Sequence, residues 1–182
     1  SEGFAARSLN PHDAVKKDEP GRRTMLLKIP GILSADIAPD GRIFVAQDPI
    51  DVSVPSDSAG DSILVIHPDG KITKFADNLH AVFGLCYLDG KLYVHHTPKF
   101  SVFADVDSVG RDRRDLFSTS PNPNNEGKGF NDHIPANLRL GMDGWFHLST
   151  GDKGVFGAVG TDGSKAGIHG GGILRFRPEG TQ

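Results

Sequence analysis

A histidine and an aspartate at one end of a predicted hairpin are the residues of this chain best suited to acid–base chemistry. His133 precedes a strand-like run at 137–141. Asp152 follows a second run at 145–149, and the dipeptide Asp143-Gly144 stands between the two runs. Asp-Gly between strands is a strong hairpin signal, and antiparallel pairing brings His133 and Asp152 to a similar height. An aspartate that accepts from one ring nitrogen leaves the other as a base, so the pair predicts proton abstraction.

Each member of the pair also has a purely structural interpretation. A loop histidine that caps a backbone carbonyl is as compatible with the position of His133 as catalysis is. Asp152, within STGDKG, is typical of an Asx turn that ends a strand. Asn131, Arg139 and His169 are further candidates for residues that line a substrate or cofactor pocket, and His169 stands in a glycine-dense segment that permits close backbone approach.

Composition narrows the class of protein. The chain has 182 residues, of which 37% are hydrophobic and 24% charged, as in an ordinary globular protein with one core. Its net charge of −3, with scattered basic residues, argues against a nucleic-acid surface. Cys86 is the single cysteine, which excludes an intrachain disulfide, a cysteine zinc site and a CxxCH haem attachment. We interpret Cys86 as a buried, inert thiol. No apolar run is long enough to cross a membrane and no signal peptide is evident, so we expect a cytoplasmic chain or one whose targeting segment has been removed.

The segment 105–112, DVDSVGRD, has carboxylates at alternate positions, as calcium-binding loops do. Asp105, Asp107 and Asp112 are therefore weak calcium candidates. Val109 stands where a third acidic ligand is expected, so a charged hairpin tip is the preferred interpretation and structural calcium the alternative.

A repeat predicts the architecture. Three segments of the form strand, Asp-Gly turn, strand have their turns at Asp40, Asp89 and Asp143, which is close to the period of a propeller blade. With many glycines and prolines and few helical patterns, this predicts an all-β, partial β-propeller of about three four-stranded antiparallel blades. We expect the blades at about 30–78, 79–120 and 130–182, the last of them incomplete, after an irregular lead-in at 1–29. The chain is then expected to be a fragment of a larger propeller.

The meander topology sorts the loops between two ends of the blades. The tight Asp-Gly turns fall at one end, and the long polar segments 47–61, 118–136 and 150–171 fall at the other. Long loops on a rigid scaffold are where binding and catalysis usually reside. His133 and Asp152 lie there, and His95 and His96 are predicted to face the same end.

The hairpin resembles the soluble glucose/sorbosone dehydrogenase-like quinoproteins, which are six-bladed propellers that use pyrroloquinoline quinone. The resemblance implies that His133 is the base that removes the substrate hydroxyl proton during hydride transfer to the quinone, and that Asp152 supports it. The residues that carry it are His133, Leu138, Asp143-Gly144, 145–148, Gly151-Asp152, Gly154 and 172–175.

Residues 30–182 resemble still more closely the membrane-bound dehydrogenase-type domains of Planctomycetes-type bacteria, through HHTPK, PNPNNEGKGFNDHIPANLRL and STGDKG. This implies a sugar or polyol substrate, a periplasmic or cell-envelope location and a cytochrome c-type electron acceptor. In the quinoprotein family, most cofactor-binding cations and the calcium ligands come from later blades. The isolated chain is therefore expected to be inactive by itself and prone to association.

Two other functions remain open at this level. One is a metal-dependent lactonase of the propeller type, with Asn131, Asp132 and Asp48 as candidate ligands. The other is a non-catalytic propeller that binds carbohydrate or protein, in which His133 only donates or accepts a loop hydrogen bond.

Overall fold

One turn type recurs along the chain and sets where strands reverse. At the first copy, the Ala38 amide donates to the carbonyl of Arg42 over 2.9 Å and the Gly41 amide donates to the carbonyl of Ala38. Gly41 has a φ of +85°, a left-handed conformation that glycine adopts without strain. The Asp40 carboxylate accepts from the amide of Arg42 and closes the turn. The same two backbone hydrogen bonds recur at 67–71, 141–145, 160–164 and 177–181.

The computed structural model describes residues 29, 31–48, 60–120 and 135–181, and all regular structure within these ranges is β-strand. The strands are β1 (Ile32–Ile37), β2 (Ile43–Gln47), β3 (Asp61–Ile66), β4 (Ile72–Leu79), β5 (Val82–Leu88), β6 (Lys91–His96), β7 (Lys99–Val106), β8 (Val109–Ser118), β9 (Ala136–Leu140), β10 (Phe146–Thr150), β11 (Val155–Val159), β12 (Lys165–Ile168) and β13 (Gly172–Phe176). The described residues contain no helix of a length and hydrophobicity that would cross a bilayer.

The strands form successive antiparallel meanders. The first blade is β1-β2-β3-β4 and the second is β5-β6-β7-β8, each four-stranded. The third has the order β13-β10-β9. The first strands of the three blades contact one another in sequence, β1 with β5 and β5 with β9, as the inner strands of a propeller do. The predicted all-β fold of a partial propeller is confirmed.

The segment 150–171 differs from the long polar loop that we predicted. Strands β11 and β12 form a separate two-stranded hairpin, and Phe156 in β11 bridges to Ser120 beyond the second blade. Val155 and Ala158 are buried in the core between the second and third blades. At the hairpin tip the Thr161 amide donates to the carbonyl of Gly180 over 2.9 Å. The physical reason is that burial of the apolar side chains of Val155 and Ala158 in this core is more favourable than their exposure in a loop.

Two apolar cores hold the blades together, one at each interface. Between the first and second blades, Phe44 packs edge-on against Phe75 and stacks on Tyr87. Between the second and third, Phe100 and Phe146 lie in a cluster of aromatic rings. Alternate residues of each strand serve opposite interfaces, because side chains on a strand point to alternate faces.

Gly84 in β5 lies where the second and third blades approach each other closely. A Cβ built at this position would lie 2.9 Å from the Cβ of Leu138 and 3.2 Å from the Cβ of His95. A real Cβ atom does not approach neighbours this closely, so glycine at position 84 permits the inner strands β5 and β9 to pack at their observed spacing.

Candidate functional site

The two ends of the blades differ in chemistry. We call the end at which β2, β6 and β10 finish the loop face, and the opposite end, which carries the tight turns, the turn face. The described residues of the loop face include several buried or half-buried titratable side chains, which are Asp61, His95, His96 and, more exposed, Asp152. The pKa values of Asp61, His95 and His96 are perturbed, and such groups in one region are typical of functional sites.

Asp152 lies in the tight turn that follows β10. The Gly154 amide donates to the carbonyl of Gly151 over 3.1 Å and closes this turn. Gly154 has a φ of +67°, and the carbonyl of Ile168 lies directly behind it, so that no side chain fits there. The turn therefore holds Asp152 at the loop face, as the hairpin pattern predicted. His133, Asn131 and Asp132 lie outside the described residues.

The start of β9 is paired beside this turn. Ala136 is the register partner of Ser149, and the Ser149 hydroxyl donates to the Ala136 carbonyl over 2.9 Å. A register shift between His147 and Ser149 separates this pair from the rest of the ladder. This side-chain hydrogen bond holds the start of β9 next to the end of β10.

Arg139 and His169 occupy different places. Arg139 is the register partner of His147 near the turn end of β10, about 10 Å along the strand from Thr150, after which the turn with Asp152 begins. Arg139 therefore lies on the outward face of the third blade. It does not lie beside Asp152, where we predicted that it would line a pocket. His169 follows β12 at the loop-face end of the hairpin, is exposed, and lies 4.8 Å from the Phe156 ring between centroids.

A buried hydrogen-bond chain begins at His96. The Ser101 hydroxyl donates to Asp115 over 2.6 Å, and its oxygen lies 2.8 Å from His96 Nε2. The Arg113 guanidinium, which can only donate, lies 3.3 Å from the same His96 Nε2. The serine stands between histidine and aspartate, so this is not the order of a hydrolase triad, in which histidine deprotonates the serine. Burial and the guanidinium of Arg113 lower the pKa of His96 to about 4.

His95 is the most enclosed titratable side chain of this face. It is 1% exposed, and burial lowers its pKa to about 3, which keeps the ring neutral near pH 7. Neither its Nδ1 nor the Thr97 hydroxyl has a hydrogen-bond partner in the part of the chain that the structure describes. Buried polar atoms of this kind are usually satisfied by ordered water or by a ligand.

Asp61 is the buried carboxylate at the start of β3. It accepts from the Val82 amide over 2.9 Å and so links the first and second blades. Burial raises the pKa of Asp61, the Val82 amide opposes this, and the nearby carboxylate of Asp48 raises it further.

The calcium candidates lie at the turn face, in the β7–β8 hairpin. Both oxygens of Asp105 are occupied: Oδ1 accepts from the Ser108 amide, while Oδ2 accepts from the Tyr87 hydroxyl over 2.8 Å and lies 2.7 Å from the Arg42 guanidinium. Asp107 has a φ of +52° at the hairpin tip and is exposed, as is Asp112. Asp105 thus fastens the second blade to the first. The described residues contain no group of three His, Cys, Asp or Glu side chains placed to hold a metal.

Pyrroloquinoline quinone carries three carboxylates, so its site must present cations. At the described loop face, Lys99 and Arg113 both pair with Asp115, at 2.6 and 3.0 Å, and the two buried histidines are neutral. These four side chains therefore do not make up a donor set that fits this cofactor.

Sequence reasoning missed Ser101, Asp115 and Asp61. Ser101 and Asp115 are cross-strand partners in β7 and β8, in a ladder whose register shifts on both sides of the pair. The sequence did contain one indication of this cluster. Lys99 and Ser101 alternate along β7 opposite the adjacent histidines His95 and His96, which indicates a polar row on one face of the sheet.

Comparisons with known proteins support the architecture. Residues 33–182 match the model of a family described as "Domain of unknown function (DUF7133)". No curated protein matches the chain. Among solved structures, a luciferin-regenerating enzyme has a TM-score of 0.55 at 13% identity, covering 82% of this chain and 47% of that one.

Two further solved structures are similar. A candidate oxidoreductase (glucose dehydrogenase) from Thermus thermophilus has a TM-score of 0.51 at 17% identity, covering 81% of this chain and 44% of that one. A candidate gluconolactonase has a TM-score of 0.46 at 20% identity, covering 75% and 46%. The chain thus spans less than half the length of these structures, and at such identities the first two comparisons show the propeller fold alone.

Proposed function

Because the chain belongs to the DUF7133 family, whose function is undefined, we propose its function from the site: part of a propeller dehydrogenase for sugars or polyols. In this proposal His133 is the general base that takes the substrate hydroxyl proton, and Asp152 orients it. The remainder of the reaction requires an acceptor for the hydride.

One observation carries the proposal, namely the register at the start of β9. Ala136 pairs with Ser149, with the serine hydroxyl bonded across the pair. In antiparallel pairing, moving three residues outward on both strands leads from 136 to 133 and from 149 to 152. β10 ends at Thr150 and Asp152 lies in the turn just beyond it, so the proposal requires the chain before Ala136 to bring His133 beside this turn.

The chemistry asked of the pair is modest and local. A carboxylate that accepts from one ring nitrogen selects the tautomer whose other nitrogen has a free lone pair, and general-base catalysis of this kind contributes about 10²- to 10⁴-fold. Asn131 and His169 are proposed to line the substrate pocket. The solved structure described as a candidate glucose dehydrogenase supports this choice of substrate class through its shared fold.

Pyrroloquinoline quinone is the proposed cofactor on the strength of the sequence resemblance alone, and calcium would accompany it. Because the loop-face cations Lys99 and Arg113 are paired with Asp115, the proposal for this chain's own residues is limited to substrate binding and proton transfer. A cytochrome c-type acceptor and a periplasmic or cell-envelope location are proposals on the same basis.

Variants of the protein that contains this chain test the assignment. His133→Gln should lower kcat for dye-coupled sugar or polyol oxidation at least about 100-fold, and Asp152→Asn about 10-fold or more, with little change in substrate binding. His67→Gln is the matched control, because His67 lies at the turn face and bonds Thr73. Unchanged turnover in His133→Gln would refute the assignment. Metal-dependent lactone hydrolysis without sugar oxidation would favour the lactonase instead.

A further inference from the structure

The cleft between the second and third blades changes from apolar to polar toward the loop face. On β6, Tyr93 belongs to the apolar core of this interface, and His95 follows it two residues later. On β10, Phe146 and Leu148 belong to the same core, and Thr150, which is 8% exposed, follows them. Residues two apart on a strand lie on one face of it. Both walls of the cleft therefore become polar as their strands reach the loop face.

Gly84 shows that His95 faces the third blade. A Cβ built on Gly84 would lie 3.2 Å from the Cβ of His95 and 2.9 Å from the Cβ of Leu138 in β9. The side chains of His95 and Leu138 thus start from opposite walls beside one point. Leu138 is fully buried, whereas the two residues before it, Asn137 and Ala136, are exposed and half-buried. His95 therefore lies at the boundary between the apolar core and the loop face.

Two buried polar atoms at this boundary are orphaned. Neither His95 Nδ1 nor the Thr97 hydroxyl has a hydrogen-bond partner among the residues that the structure describes. The two residues are two positions apart, so their Cα atoms are at most about 7 Å apart. A buried polar group without a partner costs more free energy than an ordinary hydrogen bond gains. Two such groups close together indicate an occupant that supplies hydrogen-bonding groups to both.

The charges at this end of the cleft favour an uncharged occupant. Burial lowers the pKa of His95 to about 3, so the ring is neutral near pH 7, as is the Thr97 hydroxyl. The loop-face cations Lys99 and Arg113 pair with Asp115. A carboxylate or phosphate buried between the blades here would lose its hydration without gaining a cation, which is costly. A neutral hydroxyl both donates and accepts, so it satisfies an imidazole nitrogen and a threonine hydroxyl alike.

We infer that the loop-face end of this cleft is a subsite for an uncharged polyhydroxy ligand, in which His95 and Thr97 bind hydroxyl groups of the ligand. Asp152 lies in the turn just beyond the end of β10, so the subsite is at the same end of the blades as the proposed base and its carboxylate. The inference deepens the proposed function, and it rests on that proposal only where it identifies the ligand as the substrate.

Binding is measured by saturation-transfer NMR on the protein that contains this chain, with no electron acceptor present. The probes are D-sorbitol and D-glucose, and D-gluconate is a charged counterpart of sorbitol with the same chain length. Sorbitol or glucose should bind saturably, and gluconate more weakly. Thr97→Val should weaken binding about three- to tenfold, as expected for the loss of one hydrogen bond. His95→Phe, which keeps a ring and removes Nδ1, should weaken it likewise.

Two variants serve as controls. Thr97→Ser keeps the hydroxyl and should bind the probes as the wild type does. Thr73→Val makes the same chemical change at the turn face, where the hydroxyl is bonded to His67, and should leave binding unchanged. Absence of saturable binding of both sorbitol and glucose, or equal affinities of the wild type and Thr97→Val, would overturn the inference.

Thermal unfolding without ligand gives a second, independent readout. Valine has nearly the shape of threonine, so Thr97→Val removes an orphaned hydroxyl and should leave the melting temperature unchanged or raise it. A hydroxyl that is satisfied within the fold, or by a structural water alone, behaves in the opposite way. A lowered melting temperature in Thr97→Val with unchanged probe binding would therefore overturn the inference.

Failure of the subsite and failure of the proposed dehydrogenase are distinguishable. During sugar or polyol oxidation, Thr97→Val should raise KM by the factor seen in binding with little change in kcat, whereas His133→Gln lowers kcat. Saturable binding that Thr97→Val weakens, in a protein that oxidises neither probe, would support the subsite and refute the dehydrogenase. Oxidation with an unchanged KM in Thr97→Val would refute the subsite alone.

Discussion

Asp105→Asn is expected to weaken the attachment of the second blade to the first. The Asp105 side chain is 3% exposed and lies 2.7 Å from the Arg42 guanidinium. The same oxygen accepts from the Tyr87 hydroxyl, and Arg42 also donates to Ser108 over 2.9 Å. Removing the carboxylate charge leaves a guanidinium in a mostly dry interface, over the rings of Phe44 and Tyr87.

The magnitude follows from the burial of the partners. Removing one member of a buried ion pair typically costs about 3–5 kcal/mol. The Arg42 side chain is 15% exposed, so water restores part of its solvation, and Asn retains neutral hydrogen bonds. We therefore expect the free energy of unfolding to fall by about 2–3 kcal/mol. For a chain of this size the melting temperature should drop by roughly 8 °C.

Urea unfolding measures the effect, and Asp107→Asn is its control. Asp107 is exposed at the hairpin tip in a left-handed conformation that Asn tolerates, so the change should stay within about 0.5 kcal/mol. In a double-mutant cycle, Arg42→Met with Asp105→Asn should cost less than the sum of the single changes. Additive losses, or a wild-type stability that EDTA lowers to that of Asp105→Asn, would refute the ion-pair account and favour calcium.

Two further outcomes are expected. Folding lowers the pKa of His95 to about 3 and of His96 to about 4, so the unfolded chain binds protons first as pH falls below about 6.5. The free energy of unfolding, measured with urea, should therefore decrease between about pH 6.5 and 4, and His96→Gln should reduce the slope. A flat profile would contradict the burial of both rings. Gly84→Ala forces a Cβ against Leu138 and should lower the unfolding free energy by about 1–3 kcal/mol. Gly90→Asn, in an open turn, is the control and should change the unfolding free energy little. Equal losses of stability in the two variants would mean that the blades are not in close contact.

Much of the architecture was predictable because it rests on local chemistry. Asp-Gly pairs at regular spacing predict turns whatever surrounds them, since the carboxylate bonds a nearby amide and glycine adopts positive φ. The hairpin through Asp143-Gly144 and the position of Asp152 at the loop face were correct for this reason. The burial of residues in segment 155–168 was not predicted, because its few apolar residues are interrupted by glycines and match no simple period. We had expected a long polar loop there.

By itself, the sequence determined a chain of β-blades, the positions of the tight Asp-Gly turns and the placement of Asp152 at the loop face, while the pairing of His133 with Asp152 stays a prediction. The tertiary structure alone decided which distant residues meet: Arg42 with Asp105 on the next blade, Ser101 with Asp115, and His147 with its register partners Arg139 and Arg175. The reason is physical. Turn and strand preferences act within a few residues, while strand register and blade packing, which set these contacts, depend on the whole core.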